Sequence, residues 1–174
     1  MLRRGFTVVE IIITLTIMGI LLALAVVNLN ATQISSRDDE RKADVKAISD
    51  ALETYFTAGT DNSTALQQYP ETTALSTSSV STETQLRAAF RDVTIESFIA
   101  PGAANLGASF MIATNATQTT SGVTPQPTIS QYVYQPLAAN ATLCTAVAVE
   151  CRKYNLYYRL ESDSTVYKVM SKNQ

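Results

Sequence analysis

The sequence predicts an α+β protein: a long N-terminal helix, membrane-spanning in its first half, with a C-terminal antiparallel sheet packed on its second half. Three observations carry this. Ile11 to Val27 is almost continuously apolar, and no charged side chain occurs from Ile11 to Ser36. Beyond it, Val45, Ile48, Leu52, Tyr55 and Phe56 recur at helical spacing and form one apolar stripe. Near the C-terminus, Tyr132 to Leu137, Lys153 to Leu160 and Thr165 to Met170 carry Tyr, Val and Leu in partly alternating order, as strands do.

Composition bounds the rest. With 174 residues, 46% hydrophobic and 16% charged, the chain suits one compact domain plus an accessory segment and is not of disordered type. A net charge of −2 without any long Lys/Arg run gives no electrostatic footprint for nucleic acid. The chain has no His, no clustered Cys ligands, no Gly-rich phosphate loop and no Ser-centred nucleophile motif, so neither an enzyme nor a bound cofactor or metal is expected.

The elements follow in order. Ile11 to Val27 approaches the span of a bilayer at about 1.5 Å per residue once its flanks are counted. Arg3 and Arg4 precede it, and this excess positive charge holds the N-terminus in the cytoplasm with the bulk of the chain outside. The helix is expected to run over residues 6–58, with 6–27 in the membrane and Gly59 as the C-terminal cap. Arg37 to Lys42 is a run of six charges. Asp38 and Lys42 are spaced as a favourable i,i+4 pair. Asp38, Asp39, Glu40 and Asp44 have the composition of a metal site, but the interleaved Arg37, Arg41 and Lys42 favour a solvated face.

Residues 59–131 are rich in Thr, Ser, Ala, Gln and Asn, with turn signals at Tyr69-Pro70, Pro101-Gly102 and Thr124 to Pro127, and are expected as connecting surface. Within them Ser81 or Thr82 could cap a short helix over Glu83 to Arg91, and Ala108 to Ala113 reads as a strand. Residues 132–174 are expected as the antiparallel sheet, with Glu161 to Ser164 as a hairpin turn. On its second strand Tyr154, Leu156, Tyr158 and Leu160 share a face able to pack on the Val45 to Phe56 stripe, while Asn155, Tyr157 and Arg159 take the other. The acid pairs Asp61 with Glu71, and Glu161 with Asp163, are ordinary for loop surfaces and also compatible with calcium.

Glu10 is the one charge inside the apolar N-terminal segment. An ionised group at mid-bilayer costs about 2.5 to 3.5 kcal/mol on insertion scales, so it demands a reason. A general secretory signal, with Ala23 to Ala25 as its cleavage site, gains nothing from a carboxylate, and neither does a plain membrane anchor. Helix N-terminal complementarity contributes only about 0.3 to 1 kcal/mol.

The stretch "RRGFTVVE", Arg3 to Glu10, resembles the class III signal of type IV pilins and pseudopilins, in which a short basic leader ends in Gly before Phe. The likeness extends to Val27 and includes Gly19, although Val27 lies near a position where many members carry proline. The resemblance implies that residues 1–5 are a leader, that a prepilin peptidase cuts after Gly5, and that Phe6 becomes the methylated N-terminus with Glu10 as fifth mature residue. It further implies a membrane-stored precursor, polymerisation with identical subunits into an extracellular helical filament, and partnership with a membrane assembly platform and an ATPase. Burial among apolar helices then gives Glu10 an assembly role, paired with the freed amine of a neighbouring subunit. The alternatives are a pseudopilin or minor pilin of a secretion or DNA-uptake system, and a secreted or anchored binding domain with an ordinary signal.

In an exported chain Cys144 and Cys151 are expected to pair. Their alternating segment, "CTAVAVEC", would hold the Cα atoms roughly 20 Å apart as a strand and about 10 Å apart as a helix, whereas a bridge needs about 7 Å. Either Ala146 to Val149 folds back as a compact loop or the bridge is absent, and the loop is the expectation.

Overall fold

The computed structural model of the protein describes residues 7–59 (without the side chains of 25–28), 67–75, 84, 86–87, 89–90, 93–145 and 149–173. Contacts divide the chain into two units, Met1–Ser36 and Arg37–Gln174.

The first unit holds the opening part of helix α1 (Val8–Ala58). Its described aliphatic side chains, from Val8 at 74% exposure to Leu24, and Leu29 beyond, are open on every side of the helix. Such a segment lacks the polar face of a helix that packs on one side of a soluble core. Beyond its first turn the backbone groups are satisfied within the helix, as a bilayer demands. The hydroxyls of Thr14 and Thr16 donate to the carbonyls of Ile11 and Ile12 at 2.9 and 2.8 Å, so these polar side chains also need no outside partner.

In the second unit the later part of α1 buries Val45, Ile48, Ala51 and Leu52, with Tyr55 and Phe56 packed beside them, which is the stripe read from the sequence. The helix ends as expected: Gly59 takes φ 67° and its N–H donates to the Tyr55 carbonyl at 2.8 Å. A 3₁₀ turn (Ile95–Phe98) and a short helix α2 (Leu106–Ser109) lead into the sheet. Asn105 caps α2 by accepting from the Ala108 N–H at 2.9 Å.

Four strands follow: β1 (Phe110–Ile112), β2 (Tyr132–Ala138), β3 (Cys151–Arg159) and β4 (Val166–Met170), in spatial order β1-β2-β3-β4. The pairs β2–β3 and β3–β4 are antiparallel, as predicted, but β1 lies parallel to β2, so the sheet is mixed. The segment Ala113 to Gln131 supplies the crossover that a parallel pair requires. Ala108 to Ala113, expected as one strand, divides because its first part belongs to α2.

One sheet face, with Tyr132, Tyr134, Tyr154, Leu156 and Tyr158, packs on the α1 stripe. Val133 and Tyr157 face the other way, onto Ala113 and Val123 of the crossover. Residues 59–131 are therefore not simply connecting surface. They contribute Tyr69, Leu75, Leu86, Phe90, Ile95, Phe98 and Phe110 to the core. An aromatic row runs Tyr55–Phe90–Phe98–Phe110–Tyr134 with centroid spacings of 5.8, 5.5, 5.1 and 6.2 Å. Thr84, Leu86, Arg87 and Ala89 are helical, while the capping residues Ser81 and Thr82 lie outside the described residues.

Candidate functional site

At the head of α1, Thr7 acts as the cap: its hydroxyl accepts from the Glu10 N–H at 3.2 Å. Glu10 thus sits in the first helical turn, exposed, between Val9 and Ile11, both largely open. Gly5 and Phe6 lie outside the described residues. At Gly19 a Cβ would meet nothing within 4 Å, so the helix surface there is open.

A second polar constellation opens the Arg37–Gln174 unit. Asp38 and Arg41, 2% and 1% exposed, are not part of a solvated face. Arg41 Nη1 donates to Asp38 Oδ1 at 2.8 Å, and Arg41 Nε donates to the Ile129 carbonyl at 2.6 Å. The β3–β4 turn closes over this pair. Asp38 accepts from the backbone N–H groups of Glu161 and Ser162 at 2.8 and 2.9 Å, and Arg37 grips Glu161 with two bonds of 2.9 and 2.7 Å. Burial alone pushes the Asp38 carboxyl up, but these backbone donors and the Arg41 guanidinium more than offset it and hold it at about 2. The expected Asp38–Lys42 pair does not form; Lys42 reaches Asp39 instead, at 3.3 Å. The β3–β4 turn explains the difference, because it draws Asp38 inward.

Glu161 and Asp163 are likewise engaged by donors of their own chain, Asp163 by the Thr165 N–H at 2.8 Å and the Tyr167 hydroxyl at 2.7 Å. Asp61 of the other acid pair lies outside the described residues. Sequence reading missed the Asp38–Arg41–Glu161 cluster because Glu161 lies 123 residues from Asp38. The available signal was Arg41 itself, three residues from an acid and on the flank of the apolar stripe.

Cys144 and Cys151 are bonded, with Cα atoms 5.7 Å apart, so the segment folds back instead of forming a strand. Val149 lies in a bend, and residues 146–148 are outside the described set. The bridge is built into the core: Thr72 N–H donates to the Cys144 carbonyl at 3.1 Å and Tyr69 N–H to that of Cys151 at 2.8 Å. Both cysteines are buried.

The N-terminal sequence and helix have known counterparts. Residues 1–26 match the family model for the prokaryotic N-terminal methylation motif. That motif stands at the head of a long helix, apolar in its first part, with an α+β unit behind it, and in its N-terminal segment the chain is similar to type IV pilins. Over 54 residues it is 39% identical to the type IV major pilin protein PilA of Myxococcus xanthus (strain DK1622), a match covering 31% of this chain and 24% of that protein. The chain thus spans about a quarter of the length of this curated relative. No solved structure matches the chain.

Proposed function

We propose that the protein is a structural subunit of a type IV pilus-like filament and has no catalytic role of its own. Its precursor is held in the cytoplasmic membrane by α1, N-terminus inside. A prepilin peptidase removes residues 1–5 after Gly5, and the Phe6 amine is methylated. A membrane platform and its ATPase then add the subunit to a helical homopolymer by repeated head-to-tail contacts. Likeness to a major pilin favours the main filament subunit over a minor or priming one.

The carrying observation is the exposed apolar length of α1 with a single carboxylate, Glu10, in its first turn. The apolar surface passes from lipid to a bundle of like helices and stays out of water throughout. In that bundle the Glu10 carboxylate is costly unless paired, and the Phe6 amine of a neighbour is the cation that cleavage creates. Mass spectrometry of the mature N-terminal peptide, taken from membranes and from sheared surface filaments, tests this. Methylated Phe6 in both fractions is expected; an N-terminus at Val26, or the intact leader, would overturn it.

A further inference from the structure

Four Asn-x-Thr triplets occur in the chain, at Asn30, Asn62, Asn115 and Asn140. This triplet is the acceptor signal for N-linked sugar, and it operates where the asparagine is accessible. The structure separates the four. Asn30 is inside helix α1, and Asn62 is outside the described residues. Asn115 is half-buried with both ends of its amide engaged: Nδ2 donates to the Gly122 carbonyl at 2.8 Å and the Thr124 hydroxyl at 3.2 Å, and Oδ1 accepts from the Thr124 N–H at 3.1 Å.

Asn140 is arranged differently. It stands with Ala139, Ala141 and Thr142, all exposed, at the tip of a tight turn that follows β2. The base of the turn is closed by Ala138 N–H to the Thr142 carbonyl and by Ala141 N–H to the Ala138 carbonyl, both 2.9 Å. Cys144, two residues beyond, anchors it through the disulfide and through its N–H on the Pro136 carbonyl at 3.0 Å. Asn140 Oδ1 accepts from both the N–H and the hydroxyl of Thr142, at 3.2 and 2.7 Å. The third residue of the triplet thus holds the amide in one orientation, while Nδ2 donates to no group among the described residues. Small neighbours, Ala139 and Ala141, and the absence of charge from Ser97 to Val149 leave the site open.

We infer that Asn140 is an acceptor for N-linked glycan. The co-reactant is a lipid-diphosphate-linked oligosaccharide, presented with its transferase on the outer face of the membrane. Asn140 Nδ2 attacks the anomeric carbon of the first sugar, the N–C bond forms as the C–O bond to the diphosphate breaks, the lipid diphosphate leaves with the electron pair, and an Nδ2 proton passes to a base of the transferase. The inference rests on the proposed topology, which places residues 37–174 outside.

The test is peptide mapping by mass spectrometry of the full chain from the cells that make it. A single glycan mass is expected on the Asn140 peptide. It should be lost in Asn140→Gln and Thr142→Ala, kept in Thr142→Ser, and unchanged in Asn115→Gln. A bare Asn140 peptide in the parent chain, or a sugar mass that survives Asn140→Gln, overturns the inference. The same map reads the N-terminus, so methylated Phe6 beside a bare Asn140 refutes the glycan alone, whereas an unprocessed leader refutes the filament reading.

Discussion

Arg41→Met removes one buried cation and keeps most of the side-chain volume, and its cost can be worked from the contacts. Two strong hydrogen bonds disappear, to Asp38 Oδ1 at 2.8 Å and to the Ile129 carbonyl at 2.6 Å, together with weaker ones to Pro101 and Glu161 at 3.4 and 3.5 Å. Bonds to charged groups contribute about 1.5 to 3 kcal/mol each, and breaking a buried pair typically costs about 3 to 5 kcal/mol. Asp38 keeps its two backbone donors from Glu161 and Ser162, which places the expected loss near the lower end, about 3 kcal/mol. Urea titration of a fragment lacking the apolar segment measures it. With a slope of about 1 to 3 kcal/mol per M, the midpoint should fall by roughly 1 to 3 M. Adding Asp38→Asn should cost less than the two single changes summed, with a coupling of at least about 1 kcal/mol. A loss below about 1 kcal/mol for Arg41→Met would refute a desolvated pair and mean that the guanidinium reaches water.

Three further outcomes are expected. Replacing Cys144 and Cys151 by serine opens a loop of sequence separation 7, which on the chain-entropy estimate costs about 2.5 kcal/mol; an unchanged melting temperature would show that the core contacts of Tyr69 and Thr72 suffice without the bridge. Burial pushes the Asp44 carboxyl up from 3.8 to about 6 despite its bond from Tyr132, and the charge of Glu40 adds to the rise. The folded state therefore takes up a proton as pH falls between these values, and stability is lost as pH rises through them; Asp44→Asn should flatten that slope, and an undiminished slope would contradict it. Glu10→Val should leave a stable membrane-held subunit that assembles poorly, and normal filament yield would reduce Glu10 to a helix-end charge.

What was legible in the sequence follows from how local each signal is. The stripe Val45, Ile48, Leu52 obeys a period of 3.6 within one segment, and the alternation of Tyr154, Leu156 and Tyr158 obeys a period of 2, so both faces could be assigned before any contact was known. The disulfide loop was legible by geometry, because no regular element brings Cys144 to Cys151. The contribution of residues 59–131 was hidden: Phe90, Phe98 and Phe110 are single aromatics in Ser/Thr-rich sequence, and only the packed row reveals them. The parallel placement of β1 has no sequence signal, since it depends on where the crossover lands. Asp38 and Arg41 misled because a run of charges reads as solvated unless a distant turn covers it.

Asp38 and Glu10 are carboxylates in opposite situations. Asp38 is a desolvated carboxylate whose obligations are met within its own unit, by two backbone N–H groups and a guanidinium. The Glu10 carboxylate has no hydrogen bond or ion pair among the described residues, and apart from Thr7 and Thr14 the side chains of the first turns around it are aliphatic. In the proposed membrane-held precursor, water and headgroups near the surface solvate it, so the charge is tolerated there. Among packed helices that solvation is gone, and a few kcal/mol then separate a placement with a cation at contact distance from every other axial offset. In the proposed filament the carboxylate therefore does more than join neighbours: because it is the single charge on a helix face otherwise indifferent to sliding, it fixes how far one subunit stands above the next.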